Sequence, residues 1–374
     1  MKRILFFLLL TLTVSRLSYS QNIIGDDLLN ILKSGDAIKA KSMADKAINQ
    51  DNATTDASIW FYRGQIYLAI FSSADAQVQK LAPEALDISY QSFLKTIELD
   101  KTKKFNKETL EALKSIATQF NYEGANLFNQ KQYENALNYF ENAIKISKMP
   151  AINKLDTIVL YNAALASEKI NQIQKAISYY EQLKQYKFGG SNLYVELGKL
   201  YCKHDQELKG IEVFNQGLSL FPEDALKFYN ELINFYLQKN NLQEVLKYTN
   251  EALKLDNKNA TLYFIKASVY EQQNNENEAE QLYKKSLEYN PIYQDALYNL
   301  GALYYNKATT LIKKAMNKTE QNQAIEIYKQ AQTYLETYNN NYQHEEIVLK
   351  MLKTIYTLTN QNDKLNQINE WLNN

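Results

Sequence analysis

The chain has 374 residues, 45% of them hydrophobic, enough to bury a large core and to exclude general disorder. It holds only 10 Gly and 4 Pro against 29 Tyr, too few turn formers for a strand-rich fold, so long helices are expected. Formal charge is balanced at +0 and Cys202 is the single cysteine, so an internal disulfide is excluded and a nucleic-acid partner, which would favour a basic surface, is not expected.

Lys2 and Arg3 precede an apolar run from Ile4 to Val14 and then "SRLSYS". A charged start, a short apolar stretch and small residues at Ser18 and Ser20 read as a cleavable secretory signal peptide over residues 1–20, with Gln21 first in the mature chain. The run is too short to span a bilayer, which needs about 20 residues. No cysteine lies near the cut, so a lipoprotein anchor is not expected. Removing Lys2, Arg3 and Arg16 leaves a small acidic excess, and no transmembrane span is expected in the mature chain.

Residues 26–50 form a partial helix pair, and whole pairs follow from it at a regular interval. From Ala57 the first helix carries Trp60, Gly64 and Tyr67 and is expected to run on through Ile70, Phe71 and Ala74, with its partner starting at Pro83. The next helix, from Ala117 and lengthened in front by "FNKETLEALKSIATQF", shows Phe120, Glu123, Gly124 and Leu127; Ala136, Phe140 and Ala143 mark its partner. Forty residues on stand Leu160, Ala163, Ala164 and Ser167. Tyr194, Leu197, Gly198 and Tyr201 follow, then Tyr229, Leu232, Ile233 and Tyr236, then Tyr263, Lys266, Ala267 and Tyr270, and last Leu297, Leu300, Gly301 and Tyr304, at steps of 34 or 35. The spacing 0, 3, 4, 7 is one face of a helix. Each second helix carries a small residue, an aromatic four later and a small residue three after that, as in Ala279, Tyr283 and Ser286. After Tyr304 the turn is late by eleven residues, and the second helix is expected to resume with Ala324, Tyr328 and Ala331.

These residues resemble the skeleton of the tetratricopeptide repeat (TPR) family, aromatic-x-x-Leu-Gly-x-x-Tyr followed by Ala-x-x-x-Phe and a closing Pro such as Pro222 or Pro291. Seven repeats start near Ala57, Ala117, Thr157, Ser191, Leu226, Ala260 and Gln294, with a C-terminal capping part over 345–372, so residues 21–374 read as one solenoid. Two departures stand in the fifth repeat, where Ile233 replaces a small residue and Thr249 an aromatic one. The resemblance implies an all-α, right-handed α-solenoid of antiparallel helix pairs, in which no pair buries its apolar face alone. Lysine, asparagine and tyrosine richness further resembles exported TPR proteins of Bacteroidota.

Chemistry is sparse. His344 in "QHEEIV" lacks the second histidine of a zinc-protease helix, and Cys202 with His204 lacks a third ligand or an orienting acid. Gly198-Lys199 lacks the other residues of a phosphate loop. No catalytic, cofactor or metal site is expected. The family's partner usually lies against the exposed face of the first helices, and that register gives Asn121, Tyr122, Phe128, Tyr161, Asn162, Lys199, Asn230, Asn234, Phe264, Tyr298, Asn299 and Tyr305. Asparagine offers paired donor and acceptor groups to a peptide backbone, and tyrosine a rigid ring with a polar tip. The family's carboxylate clamp is not met, because Lys199 has no asparagine one turn before it and no arginine lies on the line. The expected function is an exported, non-catalytic scaffold, periplasmic or secreted, that binds protein or peptide in a concave groove. The alternatives are a small-molecule or glycan binder and a structural subunit of an envelope assembly joined through its long hairpins.

Overall fold

A computed structural model describes residues 23–342 and 344–373. The expected signal peptide, residues 1–20, lies outside them. The described residues fold into nineteen α-helices in two compact bodies that divide between Tyr186 and Lys187.

The N-terminal body holds α1 (Gly25–Ser34), α2 (Ala37–Ala47), α3 (Ala57–Phe71), α4 (Ala76–Gln79), α5 (Ala85–Leu99), α6 (Asn106–Asn129), α7 (Tyr133–Ser147), α8 (Thr157–Lys169) and α9 (Ile173–Gln185). The C-terminal body holds α10 (Gly190–Lys203), α11 (Glu207–Leu220), α12 (Ala225–Gln238), α13 (Leu242–Leu255), α14 (Ala260–Gln272), α15 (Glu276–Tyr289), α16 (Gln294–Lys314), α17 (Lys318–Asn341), α18 (Glu346–Leu358) and α19 (Asn362–Asn373). Within each body the helices pack as hairpin pairs stacked in chain order, an all-α solenoid arrangement.

The turns inside the pairs account for some of the asparagines. Lys131, Asn171, Asp205, Asn240, Asn274 and Asn360 all sit in the left-handed region, with φ between 53° and 63°. Asparagine and aspartate tolerate that conformation better than most residues with a Cβ. The residue after each one donates its N–H to the carbonyl five back, as Asn241 does to Tyr236 at 2.9 Å and Asn275 to Tyr270 at 2.8 Å. In "NN" pairs the second asparagine then caps the next helix: Asn241 Oδ1 accepts from Glu244 N–H, and Asn275 Oδ1 from Glu278 N–H.

Close approach of paired helices rests on small residues. A Cβ placed on Gly198 would stand 2.4 Å from the Phe214 ring. In the α12/α13 pair the same two positions are Ile233 and Thr249, both buried, at 1% and 0% exposure. The two departures from the repeat are one exchange of volume, large for small on the first helix and small for large on the second.

Two expectations about helix ends are corrected. α3 stops at Phe71 instead of running to Ala74, and α5 starts at Ala85, past Pro83. Ser73 Oγ accepts from Asp75 N–H at 3.1 Å and Asp75 Oδ1 from Gln77 N–H at 2.8 Å, side-chain bonds that compete with helix continuation. In the α16/α17 pair both helices are long, 21 and 24 residues. Gly301 therefore faces Leu335, whose Cδ2 would lie 2.7 Å from a Cβ there, and Tyr328 faces Thr309 with its hydroxyl 2.8 Å from Oγ1. Extra turns on one arm of a hairpin expose their apolar stripe unless the other arm grows to cover it, so the insertion is shared.

The sole arginine after residue 20, Arg63, is largely but not fully buried in the N-terminal body. It donates to Ser92 Oγ at 2.9 Å and Asp45 Oδ1 at 3.2 Å, and its guanidinium lies 4.8 Å from the Tyr67 ring centroid. The Tyr67 hydroxyl donates to the same Asp45 oxygen at 2.6 Å, so α2, α3 and α5 share one polar knot. Burial works to raise the Asp45 carboxyl, but hydrogen bonds from Tyr67 and Lys41 outweigh it and hold it below its usual value.

Candidate partner-binding face

In the N-terminal body the face of α6 and α8 carries five of the twelve expected residues. Asn162 Nδ2 donates to Asn121 Oδ1 at 3.3 Å, coupling two of them directly. Tyr122 is 62% exposed, far more than any ring of the core. Phe128 meets the Tyr133 ring edge-on at 5.0 Å, and with Ala125, Asn162 and Leu165 it lines a pocket of about 120 Å³. Tyr161 is half-buried, with its ring edge toward Tyr180 at 6.2 Å. A larger cleft of about 550 Å³ lies beside Asn121, between α6, the end of α7 and the start of α8.

In the C-terminal body Lys199 and Asn234 line one cleft of about 300 Å³ on α10 and α12, with Cys202, Glu231 and Phe235. Asn230 is exposed on α12 one turn before Asn234. Lys199 Nζ is 3.7 Å from Glu196. Burial raises the Glu231 carboxyl above its usual value; Lys199 works against this and Glu196 adds to it. Burial, with the charges of Glu207 and Glu231, pushes the Cys202 thiol up to about 11.

The remaining four residues serve packing as well as the face. Phe264 lies against the rings of Tyr283 at 5.8 Å and Tyr293 at 5.4 Å. Tyr298 stands 6.1 Å from Tyr338 and Tyr305 5.5 Å from Tyr328. Asn299 Nδ2 donates to the Tyr283 hydroxyl at 3.0 Å. Tyr298, Asn299 and Tyr305 thus take part in packing.

Hydroxyl–carboxylate bridges are the feature that sequence periodicity did not reveal. Tyr180 donates to Glu168 and Tyr304 to Glu280 at 2.5 and 2.7 Å, and Tyr356 donates to Glu336 at 2.8 Å. Each tyrosine fills the core with its ring and ends at a carboxylate on the rim. The signal available in the sequence was a glutamate twelve residues before the second-helix tyrosine, at Glu168 and again at Glu271.

Stacked helix pairs with side chains left exposed on the first-helix face define a repeat scaffold. Residues 124–148 and 260–293 match the family model of the tetratricopeptide repeat, and the chain carries tetratricopeptide repeats. No match is found among curated proteins. Among solved structures the chain is similar to YrrB, described as a TPR protein with an unusual peptide-binding site: 16% identity, TM-score 0.37, covering 53% of this chain and 95% of that one. It is also similar to the C-terminal part of a TPR repeat-containing protein from Cytophaga hutchinsonii, at 16% identity and TM-score 0.43, covering 67% and 98%. MamA from Desulfovibrio magneticus RS-1 is similar at 12% identity and TM-score 0.36, covering 48% and 96%.

Proposed function

We propose that the protein is an exported, non-catalytic scaffold that binds an extended segment of a partner protein along its first-helix faces. The observation that carries this reading is the set of asparagine and aromatic side chains that helix packing leaves at those faces, Tyr122, Asn230 and Asn234 foremost. Asparagine amides can pair with both groups of a peptide unit, and an exposed ring gives contact area at low entropic cost. Export to the periplasm or beyond rests on the N-terminal leader. Among the described residues no group of three or more His, Cys, Asp or Glu could hold a metal, and no helix is long and apolar enough to cross a membrane. The test is a pull-down from an envelope fraction with the mature chain and with the Asn230→Ala, Asn234→Ala double variant. A partner retained by the first and lost by the second supports the reading; no partner that distinguishes them removes it.

A further inference from the structure

The interval from Gly124 to Ala164 is 40 residues, whereas that from Ala164 to Gly198 is 34. Most of the extra length falls in the connection between α7 and α8, residues 148–156. That connection is tied down. Lys154 N–H returns to Ser147 C=O at 3.1 Å, Ile152 and Asn153 N–H both reach Met149 C=O at 2.8 Å, and Asn153 takes φ 37°. It folds over the end of α7 and walls one side of the 550 Å³ cleft, a volume in the range of dedicated ligand sites, roughly 300–1,000 Å³.

The cleft is apolar within, lined by Ala117, Ile146, Ile152 and Leu155, and charged at its rim. The charges there are unequal in availability. Asp156 spends its Oδ1 on the first turn of α8, accepting from Ile158 N–H at 2.8 Å. Lys154 has no ion pair among the described residues. Lys114 pairs with Glu111 at 2.8 Å, but both are about half exposed or more and three residues apart, a pair that exchanges at little cost. The lining carries two lysines, Lys114 and Lys154, against the one carboxylate of Asp156, so the rim is positive by one charge. Asn121 has its Oδ1 occupied by Asn162, which leaves its amino group to donate. Tyr122 and Ile158, exposed at 62% and 55%, follow the lining residues Asn121 and Thr157 in the chain.

We infer that this cleft is the anchor pocket of the N-terminal body, taking a bulky apolar side chain borne next to a carboxylate in an extended peptide. The apolar group fills the space over Ile146, the carboxylate meets Lys154 and Lys114, and a peptide carbonyl accepts from Asn121. This rests on the peptide-binding reading of the first-helix faces and gives it a sequence preference.

The test is selection of short random peptides on the full mature chain, followed by fluorescence anisotropy of the enriched peptides. Enriched peptides place Leu, Phe or Trp beside Asp or Glu. Ala117→Trp fills the cleft and Lys154→Glu reverses its rim; each lowers affinity by roughly tenfold while melting like the parent, as loss of a central anchor does. Lys154 is an exposed loop residue, so its variant decides the matter alone should the tryptophan variant fail to fold. Enriched peptides that bind both variants within about twofold of the parent, or that show no apolar–acidic pair, overturn the anchor while leaving face binding standing. Absence of any enriched peptide overturns the peptide-binding reading, and the anchor with it.

Discussion

The Tyr283 hydroxyl donates to Glu271 Oε2 at 2.5 Å, twelve residues back on α14, while accepting from Asn299 Nδ2 at 3.0 Å on α16. Ser268 Oγ lies 3.3 Å away. One buried phenol thus joins the second helix of a pair to its own first helix and to the first helix of the next pair. Tyr283→Phe keeps the ring and removes the hub. Destabilisation of about 1–2 kcal/mol is expected, because Asn299 and Glu271 lose a partner together. Urea denaturation of both proteins measures it; coincident midpoints would make the bridge incidental.

Alkaline pH should loosen the protein through its buried tyrosines. Burial, with nearby Asp87, pushes Tyr139 up to about 12, and burial pushes Tyr304 up to about 12 with Glu280 adding and Lys284 opposing. Tyr67, Tyr179, Tyr283 and Tyr356 move in the same direction, burial leading in each. An unfolded tyrosine loses its proton near pH 10. Between there and about 12 the unfolded chain has released protons that the folded one still binds, so stability falls as pH rises. Thermal melts taken across that window should show a steady decline. A Tyr139→Phe, Tyr304→Phe variant should show a shallower one, and parallel slopes would refute the assignment.

Thr249 is wholly buried and its Oγ1 has no hydrogen-bond partner. Valine has the same shape without the hydroxyl. Thr249→Val should therefore raise stability by about 1 kcal/mol, read as a higher melting temperature. A lower melting temperature would mean that the hydroxyl is satisfied in solution.

Cys202 should be slow toward thiol reagents. Its thiol, raised to about 11 chiefly by burial, yields little thiolate at pH 8, where a free thiol near 8.5 yields a substantial fraction. Reaction with a chromogenic disulfide should run at least roughly tenfold slower than in denaturant and quicken with each unit of pH. Equal rates in the folded and denatured states would place the thiol in open water.

The repeat was legible because close packing of paired helices admits few residue types. Positions such as Gly198, Ala267 and Tyr270 recur at one interval whatever lies between them. Register inside the α16/α17 pair was not legible, since an insertion in one strand of sequence does not say how two facing helices divide it. Ile233 and Thr249 looked like separate faults for the same reason; they compensate only once known to face each other. On the candidate face, spacing picked out Asn121 and Asn162, which meet, and Lys199 and Asn234, which share a cleft. It did not reveal the second role of Asn299, because nothing local to α16 shows that a hydroxyl from α15 arrives beside it.

Arg63 sits mid-helix on α3 with both terminal nitrogens bonded and no other arginine follows residue 20. An arginine-specific protease therefore has one place to cut after residue 20, and only when α3 opens. The bond after Arg63 is a built-in clock for local unfolding of the first pairs, and two fragments on a gel would report its rate without any label.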